Sequence, residues 1–411
     1  MKKDVGPASL TGGCFAQGVR PPTLSPHGFA MPDVDAERAT YRRFGWTWSL
    51  SAEPNLPAQP TYTVKNPAIH DETEGDDLWS YLMAYLRSKQ PGYLDRAKAW
   101  ARYFKEDYRN CVGTAGETFC ADISGYGADH LWGWGLIAWY QAMDDKAALD
   151  EAEKIGEVVE KLWGPNTTFS CLPKNGCTGW GLRQVGRHLL LATRLAEVTA
   201  NPRWTALRDK ILDILLKSKD WDAERGVFFL GVEETEDDLE PGAYAAGARI
   251  TSPFELAVLT EALDHVYRTT GRENIRDRMV KIARFVDQYG LDPKYQYVGI
   301  SFGIVGGKIW HREGAKEPVT YWDPVYTTAL VNILVRGYRY TCDPHFYDRA
   351  KYFFERGNKG IYGEPVTRSA PDGVVHHFVD SKLDSSTGNF YLRYNKGELQ
   401  YTYLLFESPA K

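Results

Sequence analysis

The sequence contains no stretch approaching the ~20 consecutive apolar residues that a membrane-spanning helix needs, so it reads as a chain that does not enter a bilayer. It has no basic excess. Its 49 Lys and Arg are outnumbered by 54 Asp and Glu, for a formal net charge of -5, which argues against a nucleic-acid partner. It lacks G-x-x-x-x-G-K-S/T, G-x-S-x-G and H-E-x-x-H, the short signatures of a phosphate cradle, a serine nucleophile elbow and a zinc helix. The run Gly303-Ile304-Val305-Gly306-Gly307 reads as a hairpin turn instead. No spacing of His, Cys and carboxylates argues for a metal, and no cofactor is implied.

What the chain has in quantity is aromatic surface. Phe, Trp and Tyr make up 13% of 411 residues, including 13 Trp and 25 Tyr. Such residues fill a large core, and they also stack on the apolar faces of sugars while nearby polar groups bond the hydroxyls. The length allows two or three domains or one large one.

The six cysteines fall into two close pairs, Cys111/Cys120 and Cys171/Cys177, with Cys14 and Cys342 far apart. The close pairs suit small disulfide loops in an extracellular or periplasmic protein, or reduced thiols in a cytosolic one; none is the C-x-x-C of a zinc ribbon. The segment MKKDVGPASLTGG has no apolar h-region of a signal peptide. Asn166-Thr167-Thr168 is a formal glycosylation sequon.

Residues 1–65 read as an extended arm with short strands around Phe44, Trp46, Trp48 and Tyr62. A helical hairpin then repeats five times across 66–358: Gly75 to Asp107, Gly127 to Trp163, Leu182 to Lys219, Ser252 to Gln288, and Asp323 to Asn358. In each, an almost wholly apolar first helix is followed by a short turn (Gln90-Pro91-Gly92, Asp144-Asp145-Lys146, Asn201-Pro202, Gly271-Arg272, Asp343-Pro344) and an amphipathic second helix. Long loops rich in Gly, Trp and Tyr link the units, and loops that long usually carry function. The expectation is a mainly α fold, an (α/α) toroid of five to six hairpins whose first helices form the inner ring. A straight solenoid has shorter, more regular connections. Segments 222–233, 295–311 and 375–405 alternate like strands, and 359–411 reads as a β-rich cap packed on the toroid.

The second hairpin, with Asp129-His130-Leu131-Trp132-Gly133-Trp134-Gly135-Leu136, Trp139-Tyr140, Ala148-Leu149 and Ala152, resembles the hairpins of six-hairpin glycosidase-like toroids. It looks most like the helical domains of exo-acting rhamnogalacturonan lyase-like proteins and unsaturated glucuronyl hydrolases. Tyr93-Leu94-Asp95-Arg96-Ala97 and Asn201-Pro202-Arg203-Trp204 fit the same style, so the resemblance spans roughly 66–358. It implies a toroid acting on glycans and carries over no catalytic motif.

The loop before the first hairpin, from His70 through Asp71, Glu72, Thr73, Glu74, Gly75 and Asp76 to Asp77, holds five carboxylates in seven residues. Acids there favour a helix N-terminus, and Asp76 or Thr73 suits an N-cap. Glycoside hydrolysis needs one protonated and one ionised carboxyl, and crowding of like charges raises one pKa. Asp71, Glu72 and Glu74 are therefore candidate acids, with His70 beside them as a substrate ligand. In the second loop Tyr126, Asp129 and His130 are further catalytic candidates, with Asp129 and His130 at the start of an inner helix. Trp132 and Trp134 are candidate sugar platforms there. Tyr or His can also take the proton alpha to a uronate carboxylate in β-elimination.

Arg183 and Arg187 lie four apart on one helix face, where they could clamp a carboxylate or pair with inner-ring acids. Trp180 precedes them. Arg249 lies before the fourth hairpin and Glu255 at its start. Tyr321 and Trp322 precede the fifth and Asp323 opens it; Asp323-Pro324 also suits an N-cap with Pro at N1. His311, His376 and His377 fall in strand-like segments. The chain therefore reads as a glycan-cleaving enzyme, hydrolytic through an Asp/Glu pair on an acidic polysaccharide or oligosaccharide. The alternatives are a lyase, a non-catalytic glycan-binding toroid, and a sugar epimerase.

Overall fold

A computed structural model describes residues 76–89, 91–106, 131, 133–165, 167–169, 178–231, 249–291, 302–305, 308–311 and 322–362. Ten helices among these residues pair as five hairpins: α1 (Asp77–Ser88) with α2 (Pro91–Glu106), α3 (Trp134–Met143) with α4 (Lys146–Leu162), α5 (Leu182–Thr199) with α6 (Pro202–Leu216), α7 (Pro253–Thr270) with α8 (Glu273–Tyr289), and α9 (Trp322–Thr341) with α10 (Pro344–Tyr362).

The first helices form the inner layer. Neighbours pack in sequence, α1 on α3, α3 on α5, α5 on α7, and α7 on α9. Their composition explains the placement: every residue of α7 from Leu256 to Val266 is buried, and so is the run Trp134–Trp139 of α3. The second helices bury only a stripe. On α8 it is Ile275, Met279, Ile282 and Val286, at steps of three and four residues, the spacing that puts side chains on one face. On α4 the stripe is Ala148, Ala152, Ile155 and Val159. Each fully buried larger aliphatic side chain contributes about 1.5–3 kcal/mol.

All five inner helices end the same way. The residues Lys89, Asp144, Ala200, Gly271 and Cys342 have φ of 57°, 59°, 54°, 66° and 61°. The amide of each donates four residues back, to Tyr85, Tyr140, Ala196, Tyr267 and Tyr338, which closes the helix with a left-handed residue. Only one of the five is glycine, the residue that adopts this conformation without strain. An N-cap follows at once in three of the hairpins, where Asp145, Asn201 and Asp343 accept from Ala148, Arg203 and His345.

Short strands lie at the other end of the inner helices. β1 (Thr167–Phe169) pairs in parallel with β2 (Thr178–Trp180), which leads directly into α5. β3 (Trp221–Asp222) and β4 (Val227–Phe228) form a small antiparallel pair. β5 (Leu230–Gly231), β6 (Arg249–Thr251), β7 (Phe302–Val305) and β8 (Lys308–His311) form an antiparallel sheet in that order, and β6 delivers the chain to Pro253 at the start of α7. Strands thus occur in the expected segments 222–233 and 295–311. Segment 375–405, the arm 1–65 and nearly all of the cap 359–411 lie outside the described residues.

Three boundaries differ from expectation. The inner helix of the second hairpin starts at Trp134, because Leu131 and Gly133 are not helical, so Asp129 and His130 precede that helix instead of opening it. Helix α9 starts at Trp322, which puts Asp323 in its first turn and not at its N-cap. Helix α10 continues to Tyr362, past the boundary at 358. Cys342 is disulfide-bonded; the other five cysteines lie outside the described residues.

Candidate functional site

The N-terminal ends of α5, α7 and α9 meet in one patch. Arg183, on the first turn of α5, has its Nε 3.8 Å from Oε1 of Glu255, on the first turn of α7. One turn deeper, the Arg187 guanidinium lies over the Phe254 ring, 5.9 Å from its centroid. Phe254 in turn stacks on Tyr326 of α9, with ring centroids 6.0 Å apart at 13°. The four-residue spacing of the two arginines does place them together on α5. Arg187 is buried, and the Arg183 and Glu255 side chains are mostly shielded. A guanidinium pair, a carboxylate and an aromatic stack thus occupy one region, fed by β2 and β6.

Further along the inner helices lies a polar cluster inside the apolar layer. The Asp264 carboxylate is fully buried and accepts from the Tyr340 hydroxyl. Arg268 Nε lies 3.2 Å from Asp264 Oδ2, Arg336 Nε 3.5 Å from the same oxygen, and Arg339 4.0 Å from Oδ1. Burial alone would raise the Asp264 pKa, but the three guanidiniums outweigh it and hold the carboxyl well below the usual carboxylate range. Burial, reinforced by the Asp264 charge, pushes the Tyr340 phenol up, so it stays a donor.

His265 is next to Asp264 and also buried. Its Nδ1 lies 3.0 Å from Arg268 Nη2. Arginine only donates, so Nδ1 accepts and Nε2 carries the proton. The ring meets Trp134 edge-on at 5.3 Å, and Trp134 stacks on Trp79 at 4.8 Å. Trp134, expected as a sugar platform, is 5% exposed, so its face is given to Trp79 and its surroundings are closed by packing.

Burial lowers the His265 pKa well below the usual histidine value; the guanidiniums of Arg268, Arg194 and Arg336 push the same way, against the opposing Asp264 charge. The unfolded chain therefore binds a proton near pH 6.5 that the folded chain refuses. This contribution to stability is complete above about pH 7 and declines as pH falls below about 6.5, by up to ~1.4 kcal/mol per pH unit. Asp264 adds nothing to that window, since its lowered pKa matters only below about pH 4. His265→Gln keeps an oxygen facing Arg268 and removes the titration. Thermal melts of both proteins at about pH 7.5 and about pH 5.5 should show the variant losing less stability on acidification. Equal losses would rule the assignment out.

Among the other candidates, Asp71, Glu72, Glu74, His70, Tyr126, Asp129, His130, Trp132 and Tyr321 lie outside the described residues, as do His376 and His377. Trp180, Arg249, His311, Trp322 and Asp323 lie on β2, β6, β8 and α9. Sequence reasoning missed Phe254, Asp264, His265, Arg336, Arg339 and Tyr340. Their signal was present: Asp264-His265 breaks the apolar run between Leu263 and Val266, and Arg336 and Arg339 do the same in the inner helix of the next hairpin. Among the described residues no group of His, Cys and carboxylates could hold a metal ion, and no helix is long and apolar enough to cross a membrane.

No protein-family model matches the chain, and no curated protein matches it in sequence. Solved structures do. The cellobiose 2-epimerase of Bacillus thermoamylovorans superposes with a TM-score of 0.55 at 15% identity, over 89% of this chain and 99% of that one. A polysaccharide lyase superposes at 0.54 and 15%, over 92% and 98%. An inactive variant of an α-1,6-mannanase from Salegentibacter sp., solved with α-1,6-mannotetrose, superposes at 0.51 and 14%, over 91% and 98%. The fold is the α/α toroid that the hairpin repeat and the resemblance to six-hairpin glycosidase-like proteins implied.

Proposed function

We propose that this chain is a glycan-active enzyme that hydrolyses an acidic polysaccharide or oligosaccharide at the N-terminal end of its inner helices. The observation that carries the reading is the patch of Arg183, Arg187, Glu255, Phe254 and Tyr326. Arg183, the partly exposed guanidinium of the pair, suits a sugar carboxylate, and Tyr326, the partly exposed ring of the stack, suits a sugar ring. Glu255 is the carboxylate of this patch and takes the role of base or nucleophile. The proton donor then comes from Asp71, Glu72, Glu74, Asp129 or Asp323, each within or beside a segment that leads into an inner helix. The structurally similar proteins include an epimerase, a lyase and a mannanase, all acting on sugars, which supports the substrate class and leaves the reaction to experiment. Arg183 also favours a second reading. In β-elimination it would neutralise a uronate while His130 or Tyr126 removes the alpha proton. Export to an oxidising compartment belongs to the proposal and agrees with the bonded Cys342.

The test is a panel of acidic and neutral glycans read for new reducing ends and for the ultraviolet absorbance of an unsaturated uronate. Reducing ends without absorbance are expected, and Glu255→Gln should lower turnover by about 10²–10⁴-fold while the protein still binds the glycan. Absorbance alongside new ends would replace hydrolysis with elimination. Interconversion of a free sugar without chain shortening would make the protein an epimerase, and no turnover of any kind would defeat the enzymatic reading.

A further inference from the structure

One buried carboxylate makes more connections than capping its own helix requires. Asp76 is the N-cap of α1, and its Oδ1 accepts from the Trp79 amide at 3.3 Å. Its other oxygen, Oδ2, accepts from the Gly135 amide at 2.8 Å, on the first turn of α3 and 59 residues away in sequence. Asp145 and Asn201 cap α4 and α6 from ordinary extended backbone, with φ of -88° and -79°. Asp76 instead has φ 53°, a left-handed conformation that L-residues adopt at a cost and that persists only where surrounding structure imposes it. The partner position is equally constrained. A Cβ on Gly135 would lie 2.2 Å from Asp76 Oδ1 and 2.9 Å from the Trp79 amide nitrogen. The Trp79–Trp134 stack clamps the same two helix starts, and Trp134 continues to His265.

The sequence places chemistry immediately before both clamped ends. Asp71, Glu72 and Glu74 precede Asp76 by two to five residues, and Asp129, His130 and Trp132 precede Trp134 by two to five. We propose that Asp76 is a positioning residue: its carboxylate bridges α1 to α3 and fixes the two helix starts that follow the candidate catalytic stretches in sequence. This rests on the reading of the chain as a glycan-active enzyme, and it adds the group that ties two inner-helix starts together. A displacement of about 1 Å between reacting groups can cost 10²-fold in rate, so a latch between two helix starts has a direct effect on turnover.

The test is Asp76→Asn, whose single amide oxygen can keep the Trp79 bond and cannot serve both amides at once. Gly135→Ala is the second variant, displacing the same carboxylate from the other side. Amide hydrogen exchange at Gly135 should accelerate at least about tenfold in Asp76→Asn, with exchange in the α7–α9 core unchanged. On a turned-over glycan, kcat should fall about 10–100-fold while KM changes less than about threefold, the signature of lost positioning. Unchanged exchange at Gly135 in Asp76→Asn overturns the latch. Faster exchange with kcat intact overturns the positioning role and makes Asp76 a strut only. If wild-type protein turns over no glycan, the functional reading itself fails and takes the positioning role with it, while the exchange data decide the latch separately.

Discussion

Replacing Asp264 with asparagine should destabilise the protein by about 3–5 kcal/mol, the usual cost of breaking a buried ion pair from one side. The carboxylate is fully buried and serves Arg268 on its own helix and Arg336 and Arg339 on α9. Arg336 is itself 2% exposed as a side chain, so it cannot turn to water for compensation. An amide keeps the shape of the carboxylate and an acceptor for Tyr340, while it removes the charge and turns the other oxygen into a donor. The loss therefore reports electrostatics and not a cavity. Tyr340→Phe gives the comparison. It deletes one hydrogen bond to a charged group and should cost about 1.5–3 kcal/mol, below the Asp264→Asn loss. Urea unfolding followed by circular dichroism measures both. Asp264→Asn within about 1 kcal/mol of wild type would mean that the cluster is not held by its carboxylate.

The second large effect lies where α5 and α7 cross. A Cβ on Gly186 would sit 3.0 Å from both the backbone nitrogen and the Cα of Leu259, and 3.0 Å from Val258 Cγ1. The first two contacts are backbone, which cannot yield without moving the helix. Two terms compete for Gly186→Ala. Helix propensity gains about 1 kcal/mol over glycine, and overpacking costs about 1–3 kcal/mol. Alanine should therefore be mildly destabilising. Gly186→Val adds two further carbons and loses propensity through its branched side chain, so about 3 kcal/mol or more should be lost. The same unfolding measurement distinguishes them. A valine variant as stable as alanine would show that the two helices can separate freely.

These sites also show what the sequence disclosed. Hairpin turns such as Asn201-Pro202 and Gly271-Arg272 were readable because cap and helix are neighbours in the chain, and the outer stripe on α8 was readable because its period is local. The start of α3 was not. Its first-turn amide is satisfied by Asp76, 59 residues upstream, so no local signal marks Trp134 as the first helical residue. Arg183, Arg187 and Glu255 were each visible in the sequence, whereas their pairing and the Phe254 stack cross from one hairpin to the next. Asp264 and His265 looked like interruptions of an apolar helix, and they acquire meaning only when Arg336 arrives from another inner helix. Side-chain chemistry that depends on pairing across hairpins is therefore invisible to periodicity, which reports one helix at a time.

The left-handed residues that close the five inner helices bear on the route to the native state. Each lets two helices pair across a turn of a few residues, which costs little chain entropy and proceeds quickly. The contacts that join hairpins span far more chain, 59 residues between Asp76 and Gly135. Hairpins should thus form early and the ring late, and on heating the order reverses: helix content outlasts the polar interior. The half-assembled chain then holds nearly all its helix and none of the contacts that join hairpins, so on heating the pairing around Asp264 should be lost before the helical signal.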